Sequence, residues 1–163
     1  MVLAMGVIGY TDGGTGRRPA RGPAGGRPMS ISIQEHSFEP EPIAVRGARE
    51  FALGALGDGV GSGLATDPAL VERVLLVVSE LATNAVLHAR TPFVVRLSRG
   101  DGSVRVAVFD TSDGRPEPGA LDPSAITGRG LGIVEALASA WGIDATDDGK
   151  WVWAELAAEE SGG

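Results

Sequence analysis

The segment spanning residues 67–92 constrains the fold more than any other part of the chain. Asp67-Pro68 marks a helix start, because Asp caps free backbone N–H groups and the fixed φ of Pro suits the first helical position. From there Val71, Val74, Leu75, Val78, Ala82, Ala85, Val86 and Ala89 recur at steps of three and four. That spacing buries one side of a helix running to about residue 89, where Pro92 breaks it. Glu80, Asn84 and His88 fall off the apolar stripe, and Glu80 and Asn84 lie one helical turn apart on a common face. Solvated helix faces routinely carry such a pair. The pair also suits phosphoryl chemistry, which needs one group to orient or deprotonate a nucleophile and one to hold a hard cation.

The flanking sequence alternates between strand and helix patterns. Residues 31–33 read as a short strand, and 43–56 have helical periodicity that stops among Gly54, Gly57, Gly59 and Gly61. Residues 93–97 and 104–109 form two strands joined across Gly100-Asp101-Gly102, the signature of an antiparallel hairpin. A loop over 111–127, with Gly114, Pro116, Pro118, Gly119 and Pro123, is long enough to be a lid or binding segment. A helix over 131–140, a strand over 143–146, a turn at Asp147-Asp148-Gly149 and a strand over 151–156 complete the chain. The predicted fold is α+β, a two-layer sandwich of a mixed, largely antiparallel sheet with helices on one face.

Two further features carry chemistry. Asp110 ends its strand where the long loop begins, a place where Asp caps a turn through its own backbone. It also suits the exocyclic amine of a buried adenine, which would cost about 1–3 kcal/mol if left unpaired. Gly128, Gly130 and Gly132 cluster where the helix at Leu131 opens. Such glycines permit a turn, and they also let backbone N–H groups approach phosphate at a helix N-terminus. Neither the Walker pattern nor a dinucleotide-binding glycine fingerprint is present.

Composition narrows the function classes. With no cysteine there is no disulfide framework and no thiolate ligand or nucleophile, and two histidines, His36 and His88, make zinc an unpromising metal. A magnesium site, which needs one or two oxygen ligands, stays open. Residues 1–28 hold four arginines against Asp12, a balance of +3 in a chain of −7, so the remainder carries −10. An acidic body argues against a nucleic-acid surface. The Gly-, Pro- and Arg-rich tail over 1–28 is predicted to be disordered. Met29 is a candidate natural start, one domain follows over 29–158, and 159–163 form a flexible end. No apolar run approaches the roughly 20 residues of a membrane span and no secretion signal is evident, so a cytoplasmic protein with no membrane partner is expected.

Taken in order, these residues resemble a known family. Ser79-Glu80-Leu81-Ala82-Thr83-Asn84-Ala85-Val86-Leu87-His88, Val108-Phe109-Asp110-Thr111-Ser112, Gly128-Arg129-Gly130-Leu131-Gly132-Ile133-Val134 and Gly149-Lys150-Trp151-Val152-Trp153-Ala154-Glu155-Leu156 look like the asparagine box, the two glycine boxes and the last strand of the histidine-kinase-like ATPase domain. The nearest branch is that of single-domain bacterial anti-sigma-factor serine kinases of actinobacterial type. The resemblance covers about residues 36–157 and implies the Bergerat ATP-binding fold, with ATP and Mg2+ as cofactors.

It implies Glu80 as general base, Asn84 as the magnesium ligand and Asp110 as the adenine-binding acid. It also implies that Gly128, Arg129, Gly130, Leu131 and Gly132 flank the phosphates, and that Ser112 and Gly114 support the nucleotide from the loop. His88 is read as a structural residue near the pocket rim. The chain carries Ser112 where the family's histidine kinases have a glycine, and Trp151 where many relatives have a Thr that helps fix the Asp and adenine. The implied activity is transfer of the ATP γ-phosphate to a serine of an anti-anti-sigma (STAS-domain) partner. A sigma factor is a second partner, and a homodimer is left open. A switch that holds nucleotide without turnover is the alternative. Sensor histidine kinase activity is not expected, because no phosphoacceptor-histidine domain or sensor precedes the ATPase-like region.

Overall fold

Strict alternation makes residues 93–110 the centre of the structure, because every second side chain of a hairpin points to one face. The computed structural model describes residues 31–57, 67–100, 102–112 and 130–158. Strand β2 (Phe93–Gly100) and strand β3 (Ser103–Asp110) pair antiparallel, with Gly100 opposite Ser103. Gly102, at φ 75°, takes the left-handed conformation that so tight a turn requires. Phe93, Val95, Leu97, Val104, Val106 and Val108 point to one face and are buried.

Strand β1 (Ser32–Phe38) pairs with β2 along its whole length. It outruns the predicted 31–33 because Gln34 to Ser37 lack apolar alternation and are held by pairing rather than by pattern. Strands β4 (Ala140–Thr146) and β5 (Gly149–Ala157) form a second hairpin, and β5 lies against β3. The strand order is β1-β2-β3-β5-β4, and every neighbouring pair is antiparallel. The expected mixed, largely antiparallel sheet is thus antiparallel throughout the described residues.

Helix α1 (Pro42–Gly57) and helix α2 (Pro68–Asn84) cover the apolar face of the sheet. Asp67 caps α2, its side chain accepting a hydrogen bond of 3.0 Å from the Ala69 N–H. The buried residues of α1 are Ala44, Ala48, Ala52, Ala55 and Leu56, and the row of alanines lets its backbone approach α2 closely. Because α2 touches both α1 and the sheet, it buries more than the predicted stripe: Leu70, Val77 and Leu81 are buried with Val74, Val78, Ala82 and Ala85. Val71, Leu75 and Val86 are only partly buried.

After Asn84 the helix widens into one π-helical turn, Ala85–Ala89, closed by a 3.1 Å bond from the Arg90 N–H to the Ala85 carbonyl. Arg90, at φ 54°, ends it. Helix α3 (Gly130–Leu137) is shorter than the predicted 131–140, since β4 pairs with β5 from Ala140 onward and takes the last residues. Arg99 is buried at the far end of the sheet, where it donates to the carbonyl of Leu56 in the last turn of α1.

Among the described residues, no helix packs on the other face of the sheet. Arg96 lies over Trp151 at 4.1 Å, and Arg105 over Trp153 at 4.0 Å, so guanidinium groups cover the indoles. Among the described residues, no helix is long and apolar enough to cross a membrane. The predicted tail over 1–28, the flexible end over 159–163 and most of the predicted lid over 111–127 lie outside the described residues.

Candidate functional site

Residues from β3, β5, α2, the π-helical turn and α3 meet at the end of the helix layer. Asp110 follows Val104, Val106 and Val108 in the buried phase of β3, so alternation alone turns its carboxylate inward. It is 4% exposed. An ionised group so placed must be compensated, and three groups meet its Oδ1. The Ser112 backbone N–H donates at 3.0 Å, the Ser112 hydroxyl donates to the same oxygen, and the Lys150 ammonium lies 3.8 Å away. Lys150 also donates to Ser112 Oγ at 3.1 Å. None of these contacts uses Oδ2.

Asp110 and Lys150 face each other because they are paired across β3 and β5. The same register sends Trp151 to the opposite face, opposite Phe109, with their rings 5.1 Å apart. The last-strand residue beside Asp110 is therefore Lys150 and not Trp151, and the indole has no part in lining the cavity. Sequence reading missed Lys150. The signal was the alternation of Val152, Ala154 and Leu156, which puts residue 150 in the inward phase.

Ser112, where the family's histidine kinases have glycine, has no left-handed backbone to accommodate. Its hydroxyl is instead the bridge between Asp110 and Lys150, a role that glycine could not fill.

A cavity of about 130 Å³ opens at this point, lined by Leu81, Asn84, Ala85, His88, Ala89, Val108, Asp110, Leu131, Lys150 and Val152. Its walls are mostly apolar, with a few convergent polar groups, as in sites for small organic ligands. Helix α2 supplies Leu81 and Asn84. The π-helical turn supplies Ala85, His88 and Ala89, consistent with the frequent use of such turns at functional sites. His88, exposed to solvent, stands in the lining.

Glu80 and Asn84 are brought to the N-terminus of α3. A Cβ on Gly130 would lie 2.9 Å from Glu80 Oε2 and 3.6 Å from Asn84 Oδ1. A side chain at residue 130 would crowd Glu80 Oε2 while making only ordinary contact with Asn84, so glycine lets the first turn of α3 lie against Glu80 as it stands. Leu131 is buried and lines the cavity. Gly132 is exposed, and a Cβ there would meet no atom within 4 Å. Gly114, Gly128 and Arg129 lie outside the described residues. The structure thus gathers Glu80, Asn84, Asp110, Ser112, Gly130 and Leu131 at one end of the helix layer.

With this geometry in view, the comparison with known families is specific. The family model of the histidine kinase-like ATPase domain matches residues 38–156. The chain belongs to that family, and its domain is of an ATP-binding, regulatory kind. Comparison with curated proteins finds no match.

Proposed function

We propose that this chain is an ATP-dependent protein serine kinase of the anti-sigma-factor type. It transfers the γ-phosphate of ATP to a serine hydroxyl of an anti-anti-sigma (STAS-domain) protein, binds a sigma factor as its second partner, and works in the cytoplasm. The observation that carries the kinase reading is the packing of Gly130 on Glu80 and Asn84, beside a cavity that contains Asp110. The choice of a protein hydroxyl as acceptor rests on the likeness of the four sequence boxes to the anti-sigma branch.

The residues present fit the cofactors. The cavity offers apolar walls for a base and a carboxylate with one oxygen outside its internal contacts. Asn84 offers an amide oxygen of the hard type that magnesium takes, one protein ligand being enough where phosphates and water complete the shell. When bound, ATP supplies the phosphoryl group and magnesium spreads its charge.

The chain's own residues then have separate tasks. Asp110 accepts a hydrogen bond from the exocyclic amine of adenine, while Leu81, Val108, Leu131 and Val152 keep water from the base. Asn84 holds the cation. Backbone N–H groups at Gly130 and Gly132, in the first turn of α3, face the phosphates, where the helix dipole favours anions; the resemblance adds Gly128 and Arg129 to this group. Glu80 accepts the proton of the serine hydroxyl as the oxygen attacks.

The test is Glu80→Ala with radiolabelled ATP and a purified STAS-domain protein from the same organism. Transfer is expected to fall by about 10²- to 10⁴-fold, the usual contribution of a positioned base, while most ATP binding is kept. Retention of transfer would remove Glu80 as the base.

A further inference from the structure

Lys150 is the only lysine in the chain, and it stands in the wall of the cavity rather than in solvent. Its side chain is 21% exposed. Lysine is rarely drawn this far from water unless paired. Lys150 offsets the charge of Asp110, but Oδ1 does not need it as a hydrogen-bond donor, since it already accepts both the N–H and the hydroxyl of Ser112. The 3.8 Å separation between Nζ and Oδ1 is an ion-pair distance, longer than a hydrogen bond.

An ammonium carries three N–H donors, and Ser112 Oγ takes one of them at 3.1 Å. Asp110 and Lys150 therefore set an acceptor and a donor side by side in the same cavity. That is the complement of the Watson–Crick edge of adenine, where an exocyclic amine adjoins the unprotonated ring nitrogen N1. Pockets that hold an extracted base read this edge by hydrogen bonds and grip its faces with apolar side chains.

We infer that Lys150 is a specificity-determining residue that reads the base, donating from Nζ to adenine N1 while Asp110 Oδ2 accepts from the amine. This rests on the reading of the cavity as a nucleotide site and adds a second point of recognition to it. Lys150 holds Asp110 and Ser112 in place in the free protein, and turns one of its donors to the ligand when adenine enters.

The experiment compares ATP with 1-deaza-ATP, in which N1 is a C–H group and the amine is kept, both with magnesium, by titration into the wild-type protein and into Lys150→Met. Methionine retains an unbranched stem of similar length, and thermal unfolding checks that the variant is folded. The wild type is expected to prefer ATP on the order of tenfold or more, the range for a hydrogen bond from a charged donor. Lys150→Met is expected to bind both compounds alike, at the weaker affinity.

A merely structural lysine would lower both affinities together and leave the preference intact. Equal binding of the two compounds by the wild type overturns the role of Lys150 without touching the nucleotide site, and needs no variant. A preference that survives in Lys150→Met overturns it too, by placing the donor elsewhere. Failure of the wild type to bind ATP at all removes the nucleotide reading and this inference with it.

Discussion

Replacing Gly130 with alanine separates the position of Glu80 from the rest of the site. The new methyl group would stand 2.9 Å from Glu80 Oε2 and 3.6 Å from Asn84 Oδ1. Ordinary contacts with carbon begin near 3.5 Å, so Asn84 can stay while Oε2 must retreat by about half an ångström or more. A Glu carboxylate lies at the end of a flexible side chain, and alanine is a better helix former than glycine by up to about 1 kcal/mol. The two effects offset, and the unfolding midpoint in urea is expected to change little.

Chemistry is less tolerant of the same displacement. A misplacement of about 1 Å at a reacting group costs on the order of 100-fold, so Gly130→Ala should lower the turnover number for phosphotransfer by roughly 10- to 100-fold. Affinity for ATP, which depends on Asp110 and the apolar walls, should stay within about threefold. The assays are transfer of labelled phosphate to the STAS-domain protein and calorimetric titration of ATP with magnesium. A variant that transfers at the wild-type rate would refute the assignment of Glu80. A variant that loses ATP affinity in proportion to its rate would show that Gly130 serves binding and not the base.

Two other substitutions follow from the geometry. Trp151→Ala is expected to leave ATP affinity within about twofold in the same titration, since the indole packs with Phe109 and Arg96 on the opposite face of the sheet; a large loss would mean that it reaches the pocket. Gly149→Ala would place a methyl 2.1 Å from the Asp110 carbonyl oxygen. Both are backbone-fixed, so stability in urea should fall by about 1–3 kcal/mol or more, the cost of forcing atoms into a packed site.

Much of this structure was legible in the sequence where local pattern and tertiary context agree. The cap at Asp67, the stop before Pro92 and the hairpin at Gly100–Gly102 are set by a few residues with strong backbone preferences, and each is found. The strand over Gln34 to Ser37 was not legible, since pairing with β2 holds it and its own pattern does not alternate. Helix α3 is shorter than its apolar pattern for the related reason that pairing with β5 claims the residues after it.

At the candidate site, Glu80, Asn84 and Asp110 are legible as polar groups beside apolar runs, taken together with the glycines that follow. The closeness of Gly130 to Glu80 could not be read, because it depends on how α3 docks on α2. Lys150 was obscured by Trp151 beside it. A one-residue step along a strand exchanges the two faces, and only the phase of Val152, Ala154 and Leu156 distinguishes them.

The most direct test is calorimetric titration of ATP with magnesium into the wild-type protein and into Asp110→Asn. The carboxamide keeps an oxygen for Ser112 but removes the charge. Loss of a hydrogen bond to a charged acceptor, about 1.5–3 kcal/mol, corresponds to roughly 10- to 150-fold in affinity. Saturable binding by the wild type, weakened to that degree in Asp110→Asn, is the expected result. No binding by the wild type, or equal binding by the two proteins, would contradict a nucleotide site built on Asp110.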